Sequence, residues 1–502
     1  MKKKRILALL LTAALTASLL AGCGTGKDEA QGGGDNSSDG STYNVVLENV
    51  TLGAAYKDTE AIEEAINEIT EPAIGCTVSI LNVGIADHAN RMSMMVAGGE
   101  KIDLCMTGLT TNLVSMVNDG MLCELDEYID TVGADMKELL GDELEAGKID
   151  GTLYGITANN AAGNSGGFLY NKELADVAGV TIPEKCTIDD LINAYQQIRE
   201  SNPDLYFTSL GDGGGGCATL VSPLTAFGDP TYYSYGVIAD PLNGSTKIEN
   251  WYTTDEAHEY YSMLKGWQNE GIVPSDSMTS GVIPQDMFKA GSCFGVLSGY
   301  SPMELSTQAL YEFEVGMAQI TDAYRDTDVV QQRMWGVPVT SENPEKAVEF
   351  LNFMYTNTDV ANLLSHGIEG INYELTDQDG IVNKIDGANP GWQRVFSMFG
   401  DQTKVYYNTP AEEGIQEKIA AFSESAYPVK TCGYVFDSTP VSAKAAAVSN
   451  VVQQYGPSLE AGVVDDVDEA LDQIVEDMNN AGMEDVIEEN QNQLDTWLET
   501  QK

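Results

Sequence analysis

Strands and helices alternate along the first part of the chain, and this alternation constrains the fold more than any other feature of the sequence. Residues 43–50 show the alternating apolar pattern of a strand, and the helix that follows places Ile62, Ile66 and Ile69 on one face. Such an alternation is typical of a parallel sheet covered by helices, so an α/β fold is predicted. The predicted elements are strands over 43–50, 76–83 and 101–106, the helix through Ile62, Ile66 and Ile69, and helices over 87–96 and 109–118.

The loops after these three strands are the predicted edge of a binding site, because ligands collect at the carboxyl ends of the strands in such sheets. The loops are Gly53–Tyr56, Gly84–Ile85 and Thr107–Gly108. Tyr56 is a candidate ligand contact for this reason. Asp103, in the third strand, is either a ligand contact or a helix-capping residue, and the sequence does not decide between them.

A later segment passes directly from an apolar, extended stretch, Gly336–Val339, into a strongly marked helix. Asn343 is a favourable N-cap, and Pro344 occupies the first helical position, where its missing N–H costs nothing. Trp335 stands just before this unit, and residues 366–373 close it. Apolar residues recur on one face of the predicted helix at Ala347, Phe350, Leu351 and Met354.

Five segments together resemble bacterial extracellular solute-binding proteins of family 1, the receptors of ABC importers. They are 92–103, 150–156, 168–174, 288–302 and 335–373. Two departures are small: Lys101-Ile102 stands where the family has Leu-Pro, and Thr157 stands where it has Pro. The resemblance implies an α/β, two-lobed, periplasmic-binding-protein-like (type II) fold with three interlobe crossovers, and it implies no catalytic activity.

The crossovers implied by the resemblance divide the chain into lobes. The N-terminal lobe is predicted to comprise 43–162 and 298–334, and the C-terminal lobe 163–297 and 335–426. Residues 427–502 resemble the uncharacterised C-terminal domain found on lipoproteins of this receptor class. Because the helices of this extension are amphipathic, it is predicted to pack on a lobe.

The first 23 residues are organised like a lipoprotein signal peptide. Met1–Arg5 is basic, Ile6–Leu20 is apolar but short for a membrane span, and Leu20-Ala21-Gly22-Cys23 resembles a lipobox. An ordinary cleaved signal peptide with an incidental cysteine is the alternative. Cys23 is therefore the predicted lipidation site, residues 24–42 are a predicted flexible linker, and the protein is expected at the extracytoplasmic face of the bacterial cell membrane.

The strongly acidic composition argues against a nucleic-acid partner. Acidic residues outnumber basic ones by 77 to 26, and such a surface repels phosphate backbones. The three histidines show no zinc-ligand spacing, so neither a metal nor a cofactor is expected. The seven cysteines after Cys23 are odd in number and irregularly spaced, so no disulfide is predicted.

Two glycine-rich matches to enzyme motifs lie in the wrong surroundings. Gly163–Gly167 fits G-x-S-x-G, but a strand follows it where a nucleophile elbow requires a helix. Gly211–Gly216 fits G-x-G-x-x-G without a clean helical start after it. The first is interpreted as the entry to a hinge, around Asn160, and the second as a cleft loop that contains Asp212.

Aromatic residues in loops and at crossovers indicate the class of ligand. Sugar rings lie flat on aromatic faces, while Asp, Glu and Asn side chains fix the hydroxyls. Core packing is the alternative for each ring taken alone. The candidate ligand-binding residues are Trp335, Tyr300, Tyr373, Glu369, Asp103, Tyr56, Asn160, Asp212, Tyr233 and Trp251.

These features together predict a monomeric, membrane-anchored receptor that captures a carbohydrate, in the first place an oligosaccharide, in an interlobe cleft. Its expected partners are the transmembrane permease subunits of an ABC importer. One alternative is a lipid-anchored carbohydrate-active hydrolase, which needs a carboxylate pair facing one cleft. The other is the same receptor fold for a peptide, a polyamine or an osmolyte.

Overall fold

The protein is built of short strands and helices that alternate along the chain. The computed structural model describes residues 42–501 apart from 52–54, 109, 150, 159–162, 211–217, 230, 277–281, 303–310, 386–390, 393–396, 410 and 412–413. The strands are β1 Tyr43–Thr51, β2 Cys76–Gly84, β3 Cys105–Thr107, β4 Lys148–Ile149, β5 Thr152–Leu153, β6 Gly155–Thr157, β7 Gly166–Asn171, β8 Gly295–Gly299, β9 Val315–Gln319, β10 Tyr324–Arg325, β11 Met334–Gly336, β12 Tyr373–Leu375, β13 Ile381–Lys384, β14 Tyr407–Asn408 and β15 Tyr427–Pro428. The helices are α1 Thr59–Ile74, α2 His88–Gly98, α3 Leu113–Asn118, α4 Asp126–Ile129, α5 Ala134–Leu140, α6 Lys172–Ala178, α7 Ile188–Arg199, α8 Ala218–Val221, α9 Asp255–Glu270, α10 Pro284–Lys289, α11 Thr327–Gln331, α12 Pro344–Thr356, α13 Thr358–His366, α14 Ile415–Ser425, α15 Ser442–Glu460, α16 Val467–Ala481 and α17 Met483–Thr500.

The first lobe contains a mixed sheet with strand order β2-β1-β3-β11-β6. β1 and β2 pair in parallel, and a bridge between Leu47 and Leu104 joins β1 to the start of β3. β11 lies antiparallel between β3 and β6. Helices α1, α12 and α13 cover one face of the sheet, and α2 and α3 cover the other. Fully buried residues at the centre of the first core include Val45, Ile62, Ile66, Phe350 and Leu351.

The second lobe is organised around β7, which lies antiparallel between β8 and β9. A bridge between Tyr206 and Cys293 extends this sheet beyond β8. The C-terminal helices, predicted from their amphipathic pattern to pack on a lobe, contribute to the core of this lobe and complete it. Buried residues of this common core are Phe168, Tyr195, Trp251 and Leu264 from the body of the lobe and Val448, Leu459 and Ile474 from α15 and α16.

Three chain segments pass between the lobes side by side and form a narrow hinge. Asn164 and Tyr324 exchange two backbone hydrogen bonds, from Asn164 N to Tyr324 O at 2.7 Å and from Tyr324 N to Asn164 O at 2.9 Å. β10 pairs in parallel with β15, with Tyr324 opposite Tyr427 and Arg325 opposite Pro428. The hinge segments are therefore 163–165, 324–325 and 427–428.

The predicted lobe boundaries after residue 297 are wrong. β9 lies in the stretch assigned to the N-terminal lobe, 298–334, yet it pairs with β7 of the second lobe. β11 and α12 lie in the stretch assigned to the C-terminal lobe, 335–426, yet they pack into the first lobe. The physical reason is that β11 is the antiparallel strand between β3 and β6, so the chain has already returned through β10. It crosses for the third time only at β15.

The helix predicted after Gly336–Val339 is confirmed with its cap. The Asn343 side chain accepts a hydrogen bond from Lys346 N at 3.1 Å, and Pro344 is the first residue of α12. Ala347, Phe350, Leu351 and Met354 are fully buried in the first core. The local signals are thus correct even though the lobe that receives this helix was not.

Within the described residues, no helix is both long and apolar enough to cross a membrane.

Burial raises the pKa of several cysteine thiols. For Cys293 and Cys432 the pKa is raised to about 12. The cysteines that the structure describes as free are Cys76, Cys105, Cys123, Cys186, Cys293 and Cys432.

Candidate ligand-binding site

A groove with a cavity volume of about 540 Å³ lies between the two lobes beside the hinge. The first lobe contributes the loop after β3 and the start of α3, and the second lobe contributes α8 and the turn at 224–228. Asn164 of the hinge and α11, which directly follows β10, complete the lining of this interlobe groove. Its polar lining residues include Thr110, Thr111, Asn112, Asp326, Asp328 and Gln331.

Close backbone approach at Gly108 holds the loop after β3 against the end of α11. Gly108 has a φ of +87°, a conformation that L side chains rarely adopt. A Cβ atom at this position would lie 2.3 Å from Gln331 O and 2.4 Å from Gln332 O. Both are backbone atoms and cannot rotate away, so only glycine fits at this point of the groove.

The buried phenol of Tyr324 connects the hinge to the second lobe. Its hydroxyl donates to Leu224 O at 2.8 Å, and it accepts from Leu224 N at 3.3 Å and from Asn164 Nδ2 at 3.0 Å. Burial raises the pKa of Tyr324, so the phenol stays protonated and keeps its donor. The wall of the groove at Leu224 is therefore fixed directly to two of the crossing segments.

Two carboxyl groups of the 326–331 region line the groove. Asp326 is buried and caps α11 by accepting from Val329 N at 3.0 Å. Asp328 accepts from Gly228 N at 2.7 Å, which is a contact between lobes because Val330 places α11 in the core of the first lobe. Burial and the neighbouring Asp328 raise the pKa of Asp326 to about 7, and burial also raises the pKa of Asp328.

A chain of buried polar side chains leads from the first lobe into the groove at Thr110. Glu48 and His88 are both fully buried, and His88 Nε2 lies 3.0 Å from Glu48 Oε1. The second oxygen of Glu48 accepts from Met106 N at 2.8 Å. His88 Nδ1 contacts the hydroxyl of Thr110, which is exposed to the groove. Whichever of His88 Nδ1 and Thr110 Oγ1 donates in this contact, the hydroxyl oxygen keeps a lone pair that can accept from a ligand hydroxyl.

This chemistry suits the binding of a polar solute. Hydroxyl, amide and carboxyl groups converge from both lobes, and a few well-placed polar groups fix the orientation of a small ligand. Among the described residues, no cluster of three His, Cys, Asp or Glu side chains could hold a metal ion.

Three of the predicted ligand-binding aromatics are core residues in the structure. Trp335 is fully buried in the first lobe, and its Nε1 donates to Met398 O at 2.9 Å. Trp251 and Tyr233 are buried in the second lobe, with ring centroids 5.6 Å apart. None of the three offers a ring face to the groove. Core packing, the alternative for each single ring, describes them, and the predicted stacking role is not supported.

Asp103 precedes β3, at the end of that strand opposite to the groove. It is fully buried and accepts from Tyr43 Oη at 2.6 Å, from Val46 N at 2.8 Å and from Ser341 Oγ at 2.5 Å. These contacts hold β1 and the segment before α12 against β3. The carboxylate of Asp103 is therefore structural, neither a helix cap nor a groove residue.

Tyr300 lines a different space of about 450 Å³, here termed the flank cavity. Its walls are Tyr300–Pro302 and neighbouring residues of the second lobe and α14 of the first lobe, and the Tyr300 ring lies 5.6 Å from that of Phe422. A Cβ atom at Gly163 would meet Phe422, whereas the next residue, Asn164, lines the groove. Because successive side chains of an extended segment point to opposite faces, the flank cavity lies on the other face of the hinge.

The remaining predicted residues do not come together. Tyr56 is half-buried with its ring 5.6 Å from that of Trp392. Tyr373 is nearly buried with its ring 6.0 Å from that of Tyr406, and Glu369 is exposed beside it. These three are not among the described residues that line either space. Three further predictions, Asn160, Asp212 and the lipidation site Cys23, lie outside the described residues.

Sequence analysis missed the polar chain of Glu48, His88 and Thr110. These residues are far apart in the sequence and follow no motif spacing, so only the packing of α2 against β1 and β3 brings them together. One signal was present: Glu48 is a charged residue between Val46 and Val50 on one face of the strand predicted over 43–50. A charged residue at such a position needs a partner, and that need could have prompted a search for one.

Comparison with known proteins agrees with the fold and with the two-part division of the chain. Residues 55–361 match the family profile described as bacterial extracellular solute-binding protein. Residues 430–499 match a domain of unknown function, DUF3502, where the sequence predicts an uncharacterised C-terminal domain.

Relatives and solved structures extend the likeness to nearly the whole chain. A carbohydrate ABC transporter substrate-binding protein of Streptococcus pneumoniae serotype 4 is 24% identical over 467 residues, which cover 91% of this chain and 92% of that protein. The crystal structure of the N-glycan transport solute-binding protein NgtS from S. pneumoniae matches with a TM-score of 0.79 at 22% identity, covering 92% of this chain and 100% of that one. NgtS in complex with Man5GlcNAc matches with a TM-score of 0.65 at 22% identity, covering 92% and 99%.

The resemblance to a receptor family and the two-lobed α/β fold are thus confirmed. The family profile covers more than half of the 502 residues and extends over both lobes. Its members bind solutes outside the cytoplasm and do not transform them, in agreement with the prediction that this chain is not an enzyme. The chain belongs to the bacterial extracellular solute-binding proteins.

Proposed function

We propose that this protein is the sugar-binding receptor of an ABC importer and that it holds an oligosaccharide in the interlobe groove. The observation that carries the proposal is the groove itself, a space between two lobes beside a three-segment hinge, with hydroxyl, amide and carboxyl groups in its lining. Support comes from relatives whose names refer to carbohydrate and N-glycan transport.

Ligand capture follows from the position of the groove. Thr110 belongs to the first lobe and Thr219 to the second, so a sugar that reaches both contacts more protein when the lobes approach each other. A ligand shifts a conformational equilibrium by its difference in affinity for the two states, and closure about the hinge is the corresponding motion. The Asp328 contact to Gly228 N already spans the lobes and limits how they meet.

The receptor works at the outer face of the cell membrane, held there by lipid on Cys23, and passes its sugar to the permease subunits. A diacylglycerol group supplies two chains, which hold a protein at a membrane far more firmly than one. Replacing Cys23 by Ala removes the only thiol in the lipobox. We expect Cys23→Ala to move the protein from the membrane fraction to the medium or periplasm, and intact mass spectrometry of the wild-type protein to show the diacylglycerol adduct.

The test of sugar binding is calorimetry on the folded protein with Man1GlcNAc and Man5GlcNAc, the glycans named with NgtS. We expect saturable binding, a raised melting temperature and unchanged glycan in the recovered ligand. Absence of both heat and thermal shift with these glycans and with a panel of other oligosaccharides would remove the proposal. Shortened glycan in the recovered ligand would support the hydrolase alternative.

A polyamine is the second candidate ligand, because Asp326 and Asp328 bring two carboxyl groups to the groove. Spermidine binding that outcompetes every glycan in the same calorimetric titration would favour it. The raised pKa of Asp326 weakens this candidate, since a protonated carboxyl attracts a cation less than a carboxylate does.

A further inference from the structure

A smaller recess of about 230 Å³ adjoins the interlobe groove on the side of the C-terminal domain. The two spaces are neighbours because they share four lining residues: Asn112, Gly228, Asp328 and Gln331. One wall of this C-terminal recess is the exposed side of α3, with Ser115 and Asn118. The opposite wall is the segment 434–439, which lies within the domain of unknown function.

The wall at 434–439 is held rigidly by the last helix of the chain. Tyr434 Oη donates to Asn490 Oδ1 at 2.8 Å, and Asn490 Nδ2 donates to Tyr235 O at 2.8 Å. Gln493 Nε2 donates to Asp437 O at 3.0 Å, and Gln493 Oε1 accepts from Asp437 N at the same distance. α17 therefore positions this segment at Tyr434 and Asp437, as a preorganised binding surface requires.

Aromatic residues from the C-terminal domain and the second lobe line the recess and pack against one another in a small core. The ring of Phe436 lies 5.4 Å from that of Tyr235 and the ring of Tyr434 lies 5.7 Å from that of Phe227, both edge to face. Phe227 adopts a φ of +53°, an uncommon conformation for a non-glycine residue, in the turn that also carries Gly228. The polar lining includes Ser115 and Asn118 of α3 and Asp437 of the C-terminal domain.

We propose that the C-terminal recess is a subsite for one terminal sugar unit of an oligosaccharide held in the interlobe groove. A recess whose lining combines aromatic residues with many hydroxyl, amide and carboxyl groups matches a pyranose, whose faces are C–H-rich and whose edge carries hydroxyls. The recess has less than half the volume of the groove, so it suits one unit and not a chain. The domain of unknown function thus selects ligands by length. This inference rests on the proposed function.

The test uses variants in which a tryptophan fills the recess from either wall, and it compares their affinities for a short and a long glycan. Ser115→Trp blocks it from α3, and Ser438→Trp blocks it from the C-terminal domain. Ser93→Trp is the matched control, because Ser93 is likewise an exposed serine on a helix of the first lobe, on α2, and does not line the recess. Dissociation constants for Man1GlcNAc and Man5GlcNAc are measured by calorimetry on the full-length protein without its signal peptide.

We expect the wild type to bind Man5GlcNAc about 10-fold more tightly than Man1GlcNAc, and both blocking variants to lose most of that difference. Their affinity for Man1GlcNAc should stay within about 2-fold of the wild type, and Ser93→Trp should bind both glycans as the wild type does. Wild-type-like Man5GlcNAc binding in both blocking variants would overturn the subsite, and so would an equal loss for both glycans. A wild type that binds neither glycan would instead contradict the proposed function. Far-ultraviolet circular dichroism confirms that each variant is folded.

Discussion

The two spaces on either face of the hinge differ in their aromatic content. Among the described residues, the interlobe groove is lined by hydroxyl, amide and carboxyl groups without an aromatic ring, whereas Tyr300, Tyr407 and Phe422 wall the flank cavity. Both spaces take residues from both lobes, so both must change when the hinge bends. The comparison shows that aromatic content alone does not locate the binding site. The groove is favoured because it lies at the carboxyl end of β3 and because buried polar groups orient its lining.

The largest effect is expected at Gly108, where the backbone of the groove wall packs closely against the backbone at the end of α11. In Gly108→Ala the new Cβ would press on two backbone oxygens in a strained conformation, and we expect the free energy of unfolding to fall by about 3 kcal/mol or more. Gly99→Ala is the control: Gly99 also has a positive φ, +73°, but no atom lies within 4 Å of its Cβ, so about 1 kcal/mol is expected. Chemical denaturation measures both. Equal losses of unfolding free energy in the two variants would show that the backbone at Gly108 is not tightly packed against the end of α11.

The second prediction concerns the effect of Asp326, the buried carboxyl group of the groove, on how stability depends on pH. Because the pKa of Asp326 is raised in the folded state, that state holds a proton which the unfolded chain has lost, and this group lowers stability as pH rises from about 4 to about 7. Asp326→Asn keeps the cap of α11 and cannot ionise. We expect the variant to gain on the order of 1–3 kcal/mol over the wild type between pH 5 and pH 8 in denaturation experiments.

The control for this pH dependence is Asp472→Asn, at an exposed position of α16. Its stability should follow that of the wild type at every pH. A pH profile of Asp326→Asn that is parallel to the wild type would show that Asp326 is ionised in the folded protein. The groove would then be more acidic than described, and the polyamine candidate would gain weight.

The third prediction tests the polar chain that ends at Thr110. Thr110→Val keeps the shape of the side chain but removes the acceptor, and we expect glycan affinity to fall by about 1 kcal/mol, roughly 5-fold. Glu48→Gln, which removes the charge that orients His88, should lower affinity in the same direction. Thr131→Val, at an exposed position of the first lobe, is the control. Unchanged affinity in Thr110→Val would place the ligand elsewhere in the groove.

The smallest expected effect is on the other face of the hinge. If the groove binds the sugar, Tyr300→Ala removes a ring from the flank cavity only, and calorimetric affinity should change by less than about 2-fold. Ala421→Trp, which fills the flank cavity from α14, should likewise leave binding intact. A 10-fold or greater loss of affinity in Tyr300→Ala, roughly 1.4 kcal/mol, would favour the flank cavity over the groove as the binding site. It would also support the prediction from the sequence that Tyr300 contacts the ligand.

The fold was predicted well because its helices and strands follow from patterns among neighbouring residues. The alternation from Tyr43 to Asn118 and the cap at Asn343 depend on neighbours within a few residues, and both are confirmed. Lobe membership was predicted less well, because an antiparallel strand such as β11 has the same local pattern in either lobe. Its partners, β3 and β6, are far away in the chain.

The site was the least predictable part for a related reason. A tryptophan such as Trp335 carries the same local signal whether it faces a ligand or, as here, fills a core. Residues such as Thr110 acquire their role only through side chains brought from two other elements. Tertiary contacts of this kind leave no period or spacing in the sequence.

Because the chain crosses the hinge three times, the two cores become complete at different points of its synthesis. The first core requires residues as late as Phe399, and the second is complete only with α15 and α16. During vectorial synthesis, the earlier lobe can therefore consolidate while the later one still waits for its closing helices. Such widely separated partners make for slow folding, because the entropy of closing long loops must be overcome before these contacts form.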